Sequence, residues 1–112
     1  MSKDPCCTEN EYSVVIATCP DQETAKGIIG VLMEKRLAAC VQIFPIESVY
    51  TWDGKLCLDR EFALHMKTRA ALFDEIKAAI VENHGYEVPE IIQIPITDGL
   101  PEYLKWIDGN TR

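Results

Sequence analysis

The chain has 112 residues, of which 47% are hydrophobic and 26% are charged, and its formal net charge is −7. This length suits one domain with one core, and no segment approaches the roughly 18 consecutive apolar residues that a membrane-spanning helix needs. The excess of acidic side chains opposes binding to nucleic acid and to anionic membranes, so neither is an expected partner.

The first eleven residues, MSKDPCCTENE, lack the apolar stretch of a secretory signal, which favours a cytoplasmic location. We expect residues 1–11 to form a mobile tail and residues 12–112 to form a single domain. The chain has five cysteines and no C-x-x-C pair, which favours reduced thiols over a disulfide framework or a zinc site. Cys6 and Cys7 are adjacent in the tail, where they can capture a soft metal ion without forming a designed site.

The segment YSVVIAT, residues 12–18, is rich in β-branched residues and has the length of a buried central strand. A helix is predicted to follow Pro20, with Asp21 as its N-cap and one buried apolar stripe formed by Ala25, Ile28, Ile29, Leu32 and Met33. Gly27 and Gly30 interrupt this helix at a cost of roughly 1 kcal/mol each relative to alanine. Their presence hints that another backbone packs closely against that side of the helix.

A long β-hairpin is predicted next. The extended region from Ala38 to Thr51 leads into WDGK, residues 52–55, a pattern typical of a two-residue turn at Asp53 and Gly54. Counting outward from this turn gives three cross-strand pairs: Trp52 with Lys55, Tyr50 with Cys57, and Glu47 with Arg60. The returning strand alternates between two sets of side chains: Phe62, Leu64 and Met66 on one face, and Glu61, His65 and Lys67 on the other. Arms of this length exceed the usual five or six residues and outgrow a 112-residue core.

Thr68 is expected to cap a second helix that ends at residues 83–85. Its predicted inner stripe is Leu72, Phe73, Ile76, Ala79 and Ile80. IIQIPI, residues 91–96, predicts a last strand, and residues 98–107 predict a short helix with four inward residues: Leu100, Tyr103, Leu104 and Ile107. The order of elements predicts an α+β fold, the ferredoxin-like βαββαβ sandwich with a long hairpin and a C-terminal helix.

The predicted strand directions bring separate chain segments to the same end of the domain. The hairpin tip at Trp52 lies there together with Cys19 and the segment NHGYEVPE, residues 83–90. Cys40 and Lys67 are expected at the opposite end. An imidazole, a thiol and carboxylates therefore converge on one pole, and these groups are common ligands of metal ions.

Several functions found on this fold require residues that the chain lacks. Copper chaperones use M-x-C-x-x-C in the first loop, where this chain has ATCPDQ with a single thiol. RNA-binding versions need aromatic and basic side chains on the central strands, and YSVVIAT and EFALHMK do not supply them. Acylphosphatases need a glycine-rich first loop followed by arginine, and CPDQETAKG has neither. No nucleophile with a paired base can be assembled from two histidines, so an enzyme is not expected.

Four separated motifs together resemble the CutA family of divalent-cation tolerance proteins. They are EKRLAACVQIFPIESVYTWDGKL, MKT, HGYEVPEI and YLKWI, and the resemblance covers about residues 12–108. It implies a homotrimer of ferredoxin-like subunits, related in architecture to the PII signalling proteins, with a copper-binding role and no agreed enzymatic activity. The chain departs from the family at Gln42, where asparagine is usual, and at Gly85, where proline is usual.

We assign His84, Glu87 and Cys19 as candidate metal ligands, with copper first by the usual order of affinity among divalent metals. An ordinary helix-ending role explains His84 equally well, since one histidine does not make a metal site. Five further residues are candidate ligand-binding residues: Cys40, Trp52, Lys67, Tyr86 and Glu90.

Two functions from different classes remain open. The main hypothesis is a trimeric divalent-cation tolerance or metal-homeostasis protein that binds copper or related divalent metal ions. The alternative is a PII-like small-ligand sensor or interaction scaffold without a metal role.

Overall fold

The computed structural model describes residues 11–112, which form a four-stranded antiparallel sheet and three helices. The strands are β1 (Tyr12–Cys19), β2 (Cys40–Trp52), β3 (Lys55–Arg69) and β4 (Ile91–Ile96), in the spatial order β2-β3-β1-β4. The helices are α1 (Gln22–Glu34), α2 (Phe73–Glu82), which follows a short 3₁₀ turn at Ala70–Leu72, and α3 (Pro101–Gly109). This arrangement confirms the predicted ferredoxin-like α+β fold.

Residues 1–10 lie outside the described residues, and with them nearly all of the expected tail, including Cys6 and Cys7. The three cysteines that the structure describes, Cys19, Cys40 and Cys57, are free thiols, as predicted. None of the helices within residues 11–112 is long and apolar enough to cross a membrane.

Helix α1 begins as the sequence predicts. The Asp21 side chain accepts a hydrogen bond from the Thr24 backbone N–H at 2.7 Å, which satisfies one of the free donors at the helix start. Of the predicted stripe, Met33 is misplaced: its side chain is 45% exposed, because the helix turns it away from the core. A side chain at Gly27 or Gly30 would meet no described atom within 4 Å, so the close backbone approach expected there does not occur within residues 11–112.

The predicted cap of the second helix is wrong. Thr68 belongs to β3, where it is fully buried, and its hydroxyl donates to the Leu37 carbonyl oxygen at 2.6 Å. The chain leaves the strand one residue later, and α2 starts only after the 3₁₀ turn, without a side-chain cap. The inner stripe of α2 is confirmed, since Leu72, Ile76 and Ile80 are buried against the sheet.

Helix α3 is held at the end of the domain opposite the hairpin tip. Ile107 is fully buried, and Tyr12 donates a hydrogen bond to Asp108 at 2.5 Å, which ties the helix to β1. Leu100, predicted to point inward, is instead exposed, because it precedes the first turn of the helix rather than lying on its inner stripe.

The hairpin has the predicted register. All three predicted cross-strand pairs are present: Trp52 with Lys55, Tyr50 with Cys57, and Glu47 with Arg60. The φ angles of Asp53 and Gly54 are +56° and +74°, the left-handed conformation that a two-residue turn between twisted strands requires at both positions.

The tip of the hairpin projects beyond the rest of the sheet. β1 pairs with β3 only from Phe62 to Arg69, so residues 46–61 form a two-stranded extension, which we call the ribbon. The domain measures 52 × 29 × 23 Å, and its radius of gyration of 15.4 Å exceeds the roughly 13 Å expected of a compact chain of this length. The expectation that the hairpin outgrows the core is therefore confirmed.

The pairing register assigns every strand residue to one of two sheet faces. Val15, Ala17, Leu64 and Met66 point toward α1 and α2 and form the buried core. The opposite face, which we call the open face, is not covered by these helices. It continues into the ribbon as one row of side chains: Trp52 and Lys55, Tyr50 and Cys57, Ser48 and Asp59, and Ile46 and Glu61.

Replacement of Thr68 by valine tests the buried hydroxyl. The substitution keeps the shape and β-branching of the side chain but leaves the buried Leu37 carbonyl without its donor. We expect a loss of about 1–3 kcal/mol in the free energy of unfolding, measured by urea denaturation at fixed protein concentration. Thr97→Val is the control, because Thr97 is exposed and lies after β4, outside the ribbon. Equal stability of the two variants would show that the Thr68 bond contributes nothing.

Candidate functional site

An open cleft of about 650 Å³ lies between the ribbon and the loop that connects α2 to β4. Its wall contains three carboxylates and three aromatic rings: Glu61, Glu87, Glu90, Tyr50, Trp52 and Tyr86. Four of the predicted site residues, Trp52, Tyr86, Glu87 and Glu90, therefore meet in one place. Glu61 and Tyr50 were not among the predicted site residues.

The loop between α2 and β4 is held in place by His84. β4 pairs with β1 only as far as Ala17, and the His84 Nε2 atom lies 2.5 Å from the carbonyl oxygen of the next residue, Thr18. The His84 Nδ1 atom accepts a hydrogen bond from the Tyr86 backbone N–H at 3.1 Å. Because a carbonyl oxygen can only accept and a backbone N–H can only donate, the ring proton is on Nε2.

Tyr86 connects this loop to the ribbon. Its hydroxyl donates to Glu61 Oε2 at 2.7 Å, and its ring packs against the His84 ring with 4.6 Å between centroids. Burial raises the pKa of Tyr86, and the bond to Glu61 and the charge of that carboxylate act in the same direction. The phenol therefore stays protonated as a donor to Glu61.

Glu61 is the functional residue that the sequence interpretation missed. Only 8% of it is exposed, although it stands on the open face of the ribbon. The sequence did contain a signal, because the predicted hairpin register already placed Glu61 on the same face as Tyr50 and Trp52. Its hydrogen bond to Tyr86, which lies 25 residues further along the chain, does not follow from that register.

Comparison with known proteins identifies the family. The model of the CutA1 divalent ion tolerance protein family matches residues 13–110. The chain belongs to the CutA1 family. The family is named for ion tolerance and not for a reaction, and the expectation that the protein is not an enzyme stays a prediction.

The chain is similar to proteins from distant organisms, among them a plant. The chloroplastic protein CutA 1 of Oryza sativa subsp. japonica is 45% identical over 100 residues, which are 88% of this chain but 56% of that protein. The chain thus spans little more than half the length of this curated relative. The crystal structure of CutA1 from Oryza sativa has a TM-score of 0.88 at 43% identity and covers 94% of this chain and 97% of that one.

The relatives do not share one compartment. The structure of the periplasmic divalent cation tolerance protein CutA from Archaeoglobus fulgidus has a TM-score of 0.86 at 43% identity, covering 88% of this chain and 97% of that one. With one relative named chloroplastic and another periplasmic, the cytoplasmic location expected here stays a prediction.

In this CutA1-family chain the three predicted metal ligands do not converge. Within residues 11–112, no group of three or more histidine, cysteine, aspartate or glutamate side chains could hold a metal ion. Cys19 is fully buried, and its thiol contacts the Asp21 carbonyl oxygen at 3.7 Å. Burial raises the pKa of Cys19 to about 11, and the charges of Asp21 and Glu61 add to the effect. The ligand roles of His84, Glu87 and Cys19 stay predictions.

Cys40 and Lys67 lie far from the cleft. They pair directly with each other across β2 and β3, and Lys67 Nζ donates to Gln42 Oε1 at 2.7 Å. Trp52 lies twelve positions after Cys40 along β2, a span of about 40 Å at the usual rise per strand residue. One small ligand therefore cannot contact Cys40 and Trp52 of the same chain.

The ribbon carries a second tyrosine–carboxylate pair, in which the Tyr50 hydroxyl donates to Asp59 Oδ2. This hydrogen bond raises the pKa of Tyr50 to about 12, with smaller contributions from burial and from the Asp59 charge. Because the pKa is raised, the bond supports the fold below about pH 10 and is lost as the pH rises through about 12.

Asp59→Asn is expected to lower the pKa of Tyr50 from about 12 toward the ordinary value of about 10. All four tyrosines of the chain have raised pKa values, so a single phenol that ionises early stands out in an ultraviolet absorbance titration. Glu47→Gln is the control, because Glu47 stands on the other face of the ribbon. A titration curve unchanged by Asp59→Asn would refute this assignment.

Proposed function

We propose that this protein acts in divalent-cation tolerance as a homotrimer that binds copper or a related divalent metal ion. Membership of the CutA1 family supports the general role, since relatives are named for tolerance of divalent cations. The ribbon supports the assembly, and the orientation of the His84 ring supports the binding of a metal ion.

The ribbon needs a second copy of the chain to cover it. Val49, Leu56 and Leu58 stand on the ribbon face that continues the helix-packed face of the sheet, and they are 64%, 79% and 67% exposed. Burying each of them against a neighbour stabilises by about 1.5–3 kcal/mol. The resemblance to the CutA family supplies the number of copies, three.

The open face of the sheet offers a second apolar surface. Ile92 and Ile94 of the edge strand β4 and Phe44 of the other edge strand β2 are all exposed. Exposed apolar side chains at both edges of one sheet face can form part of an interface between chains. Two separate apolar surfaces on one subunit fit a ring of copies, in which each subunit contacts two neighbours.

The geometry of His84 suits a metal ligand in one respect. Metal-binding imidazoles commonly donate their second ring N–H to a backbone carbonyl, which orients the ring. The His84 Nε2–H makes such a bond to Thr18, and Nδ1 is occupied only by the Tyr86 amide at 3.1 Å. A metal ion at Nδ1 therefore displaces one neutral hydrogen bond, and Glu87 or a second copy of the chain supplies further ligands.

A small-ligand sensor is the second candidate, and the cleft favours it. Sites for small molecules are usually clefts of about 300–1,000 Å³ with aromatic walls and a few polar groups. The cleft, at about 650 Å³, falls inside this range and has three aromatic rings and three carboxylates in its wall. Three of the predicted ligand-binding residues line the cleft of a single chain: Trp52, Tyr86 and Glu90. Cys40 and Lys67 can contact the same ligand only if they belong to a second copy of the chain.

The trimer is tested by light scattering with Leu58→Asp. The native protein is expected to have three times the 12.6 kDa mass of one chain, and Leu58→Asp is expected to lower the mass because it places a charge in the contact. Val81→Asp is the control, since Val81 is an exposed apolar residue on α2, away from the ribbon. A monomeric mass for the native protein at micromolar concentration contradicts the proposal.

Metal binding is tested by copper titration of a chain that lacks residues 1–11, which removes Cys6 and Cys7. Loss of even a supporting group of a metal site weakens binding by about 10–100-fold, so His84→Ala is expected to have at least this effect. His65→Ala replaces the only other histidine and is the matched control. Affinity is also expected to fall as the pH is lowered, because a protonated imidazole cannot bind metal. Equal affinity of the two variants removes His84 from the site.

A further inference from the structure

Glu61 is a buried carboxylate without a cationic partner. The ion pairs among residues 11–112 join Arg60 to Glu47, Lys77 to Asp74 and Arg112 to Glu75, and none of them includes Glu61. Its one hydrogen-bond donor in this part of the chain is the Tyr86 hydroxyl, which engages Oε2 only. Glu61 is only 8% exposed as a residue, and burial removes part of the water around a side chain, so a positive charge that approaches the free carboxylate oxygen from the cleft is favourable.

The surroundings of Glu61 add to this effect. The described residues that line the cleft include Glu87 and Glu90 but no lysine, arginine or histidine. The negative charges of the cleft therefore repel one another, and a positively charged ligand relieves this repulsion.

The aromatic walls of the cleft are fixed in position. The hydroxyl groups of Tyr50 and Tyr86 are bonded to Asp59 and Glu61, which holds the two rings, and Trp52 completes the wall. The face of an aromatic ring attracts a cation, and attraction is strongest for tryptophan. Aromatic rings around a carboxylate suit a cation that also carries an apolar body.

The cleft does not offer the ligands that a divalent metal ion needs. Such ions need several ligand atoms at about 2.0–2.6 Å, and residues 11–112 hold no group of three potential ligands close enough to provide them. We propose that the cleft binds a small organic cation of the alkylated ammonium class, with its charge beside Glu61 and its apolar part against Trp52 and Tyr50. This inference rests on the small-ligand function and does not require metal binding at His84.

The test uses choline as the probe and isothermal titration calorimetry of the full chain in the presence of EDTA, which removes metal ions. The comparison compound is dimethylbutanol, the uncharged analogue in which carbon replaces the quaternary nitrogen. We expect choline to bind at least about tenfold more tightly than the analogue, because only choline pairs with Glu61 and the ring faces.

Two variants locate the site. Glu61→Gln keeps an acceptor for the Tyr86 hydroxyl and is expected to lower the affinity for choline by about tenfold without changing that for the analogue. Trp52→Leu is expected to weaken choline binding without touching the Tyr86–Glu61 bond, so the test does not depend on one variant. Glu82→Gln, an exposed acid at the end of α2 and outside the cleft, is the matched control and is expected to bind like the native protein.

Each negative outcome has a distinct meaning. Equal binding of choline and its analogue overturns the assignment of a cation and leaves the small-ligand function standing. Binding of neither compound overturns the assignment of an organic cation and leaves the small-ligand function standing for other ligands. This result is expected if a basic side chain from a second copy of the chain fills the cleft. Choline binding that is unchanged in both Glu61→Gln and Trp52→Leu overturns the location.

Discussion

The turn at Asp53 and Gly54 determines the face on which every side chain of β2 and β3 stands. Both residues have positive φ angles, which a two-residue turn between right-twisted strands requires and which aspartate and glycine tolerate. Such a turn permits one register. Because side chains alternate with a period of two, a shift by one residue would move Glu61 to the helix-packed face and Leu58 to the open face.

The register gives the ribbon two different surfaces on a single pair of strands. One surface carries Val49, Leu56 and Leu58, which are exposed in the single chain and would be buried by a neighbouring chain in the proposed trimer. The other carries Tyr50, Trp52 and Glu61 and is covered in part by the loop between α2 and β4. An isolated two-stranded ribbon is at best marginally stable in water, so the proposed contact with a neighbouring chain would stabilise it together with the loop.

Local signals explain what the sequence could predict. The Asp-Gly turn fixed the register of the hairpin, and the Asp21 cap and the apolar stripe of α2 follow from contacts within a few residues. The errors arise at residues whose structure depends on a contact with a distant part of the chain. The sequence predicts Thr68 to be a helix cap. Its hydroxyl instead donates a hydrogen bond to the Leu37 carbonyl oxygen, 31 residues away in the chain, and the strand continues. Four residues of the cleft were predicted. Glu61 was missed, although the hairpin register places it on the face of Tyr50 and Trp52, because its hydrogen bond to Tyr86 joins residues 25 positions apart.

The two candidate functions share the chain of contacts that begins at His84. Its Nδ1 atom accepts from the Tyr86 amide, and the Tyr86 hydroxyl in turn holds Glu61, so the imidazole and the buried carboxylate are two hydrogen bonds apart. A metal ion bound at Nδ1, as proposed, would take the place of the Tyr86 amide and free that residue to move, which would alter the wall of the cleft. A ligand that fixed Tyr86 against Glu61 would favour the arrangement in which Nδ1 accepts from that amide. If both sites bind, each would change the affinity of the other by the same factor, because such coupling is reciprocal.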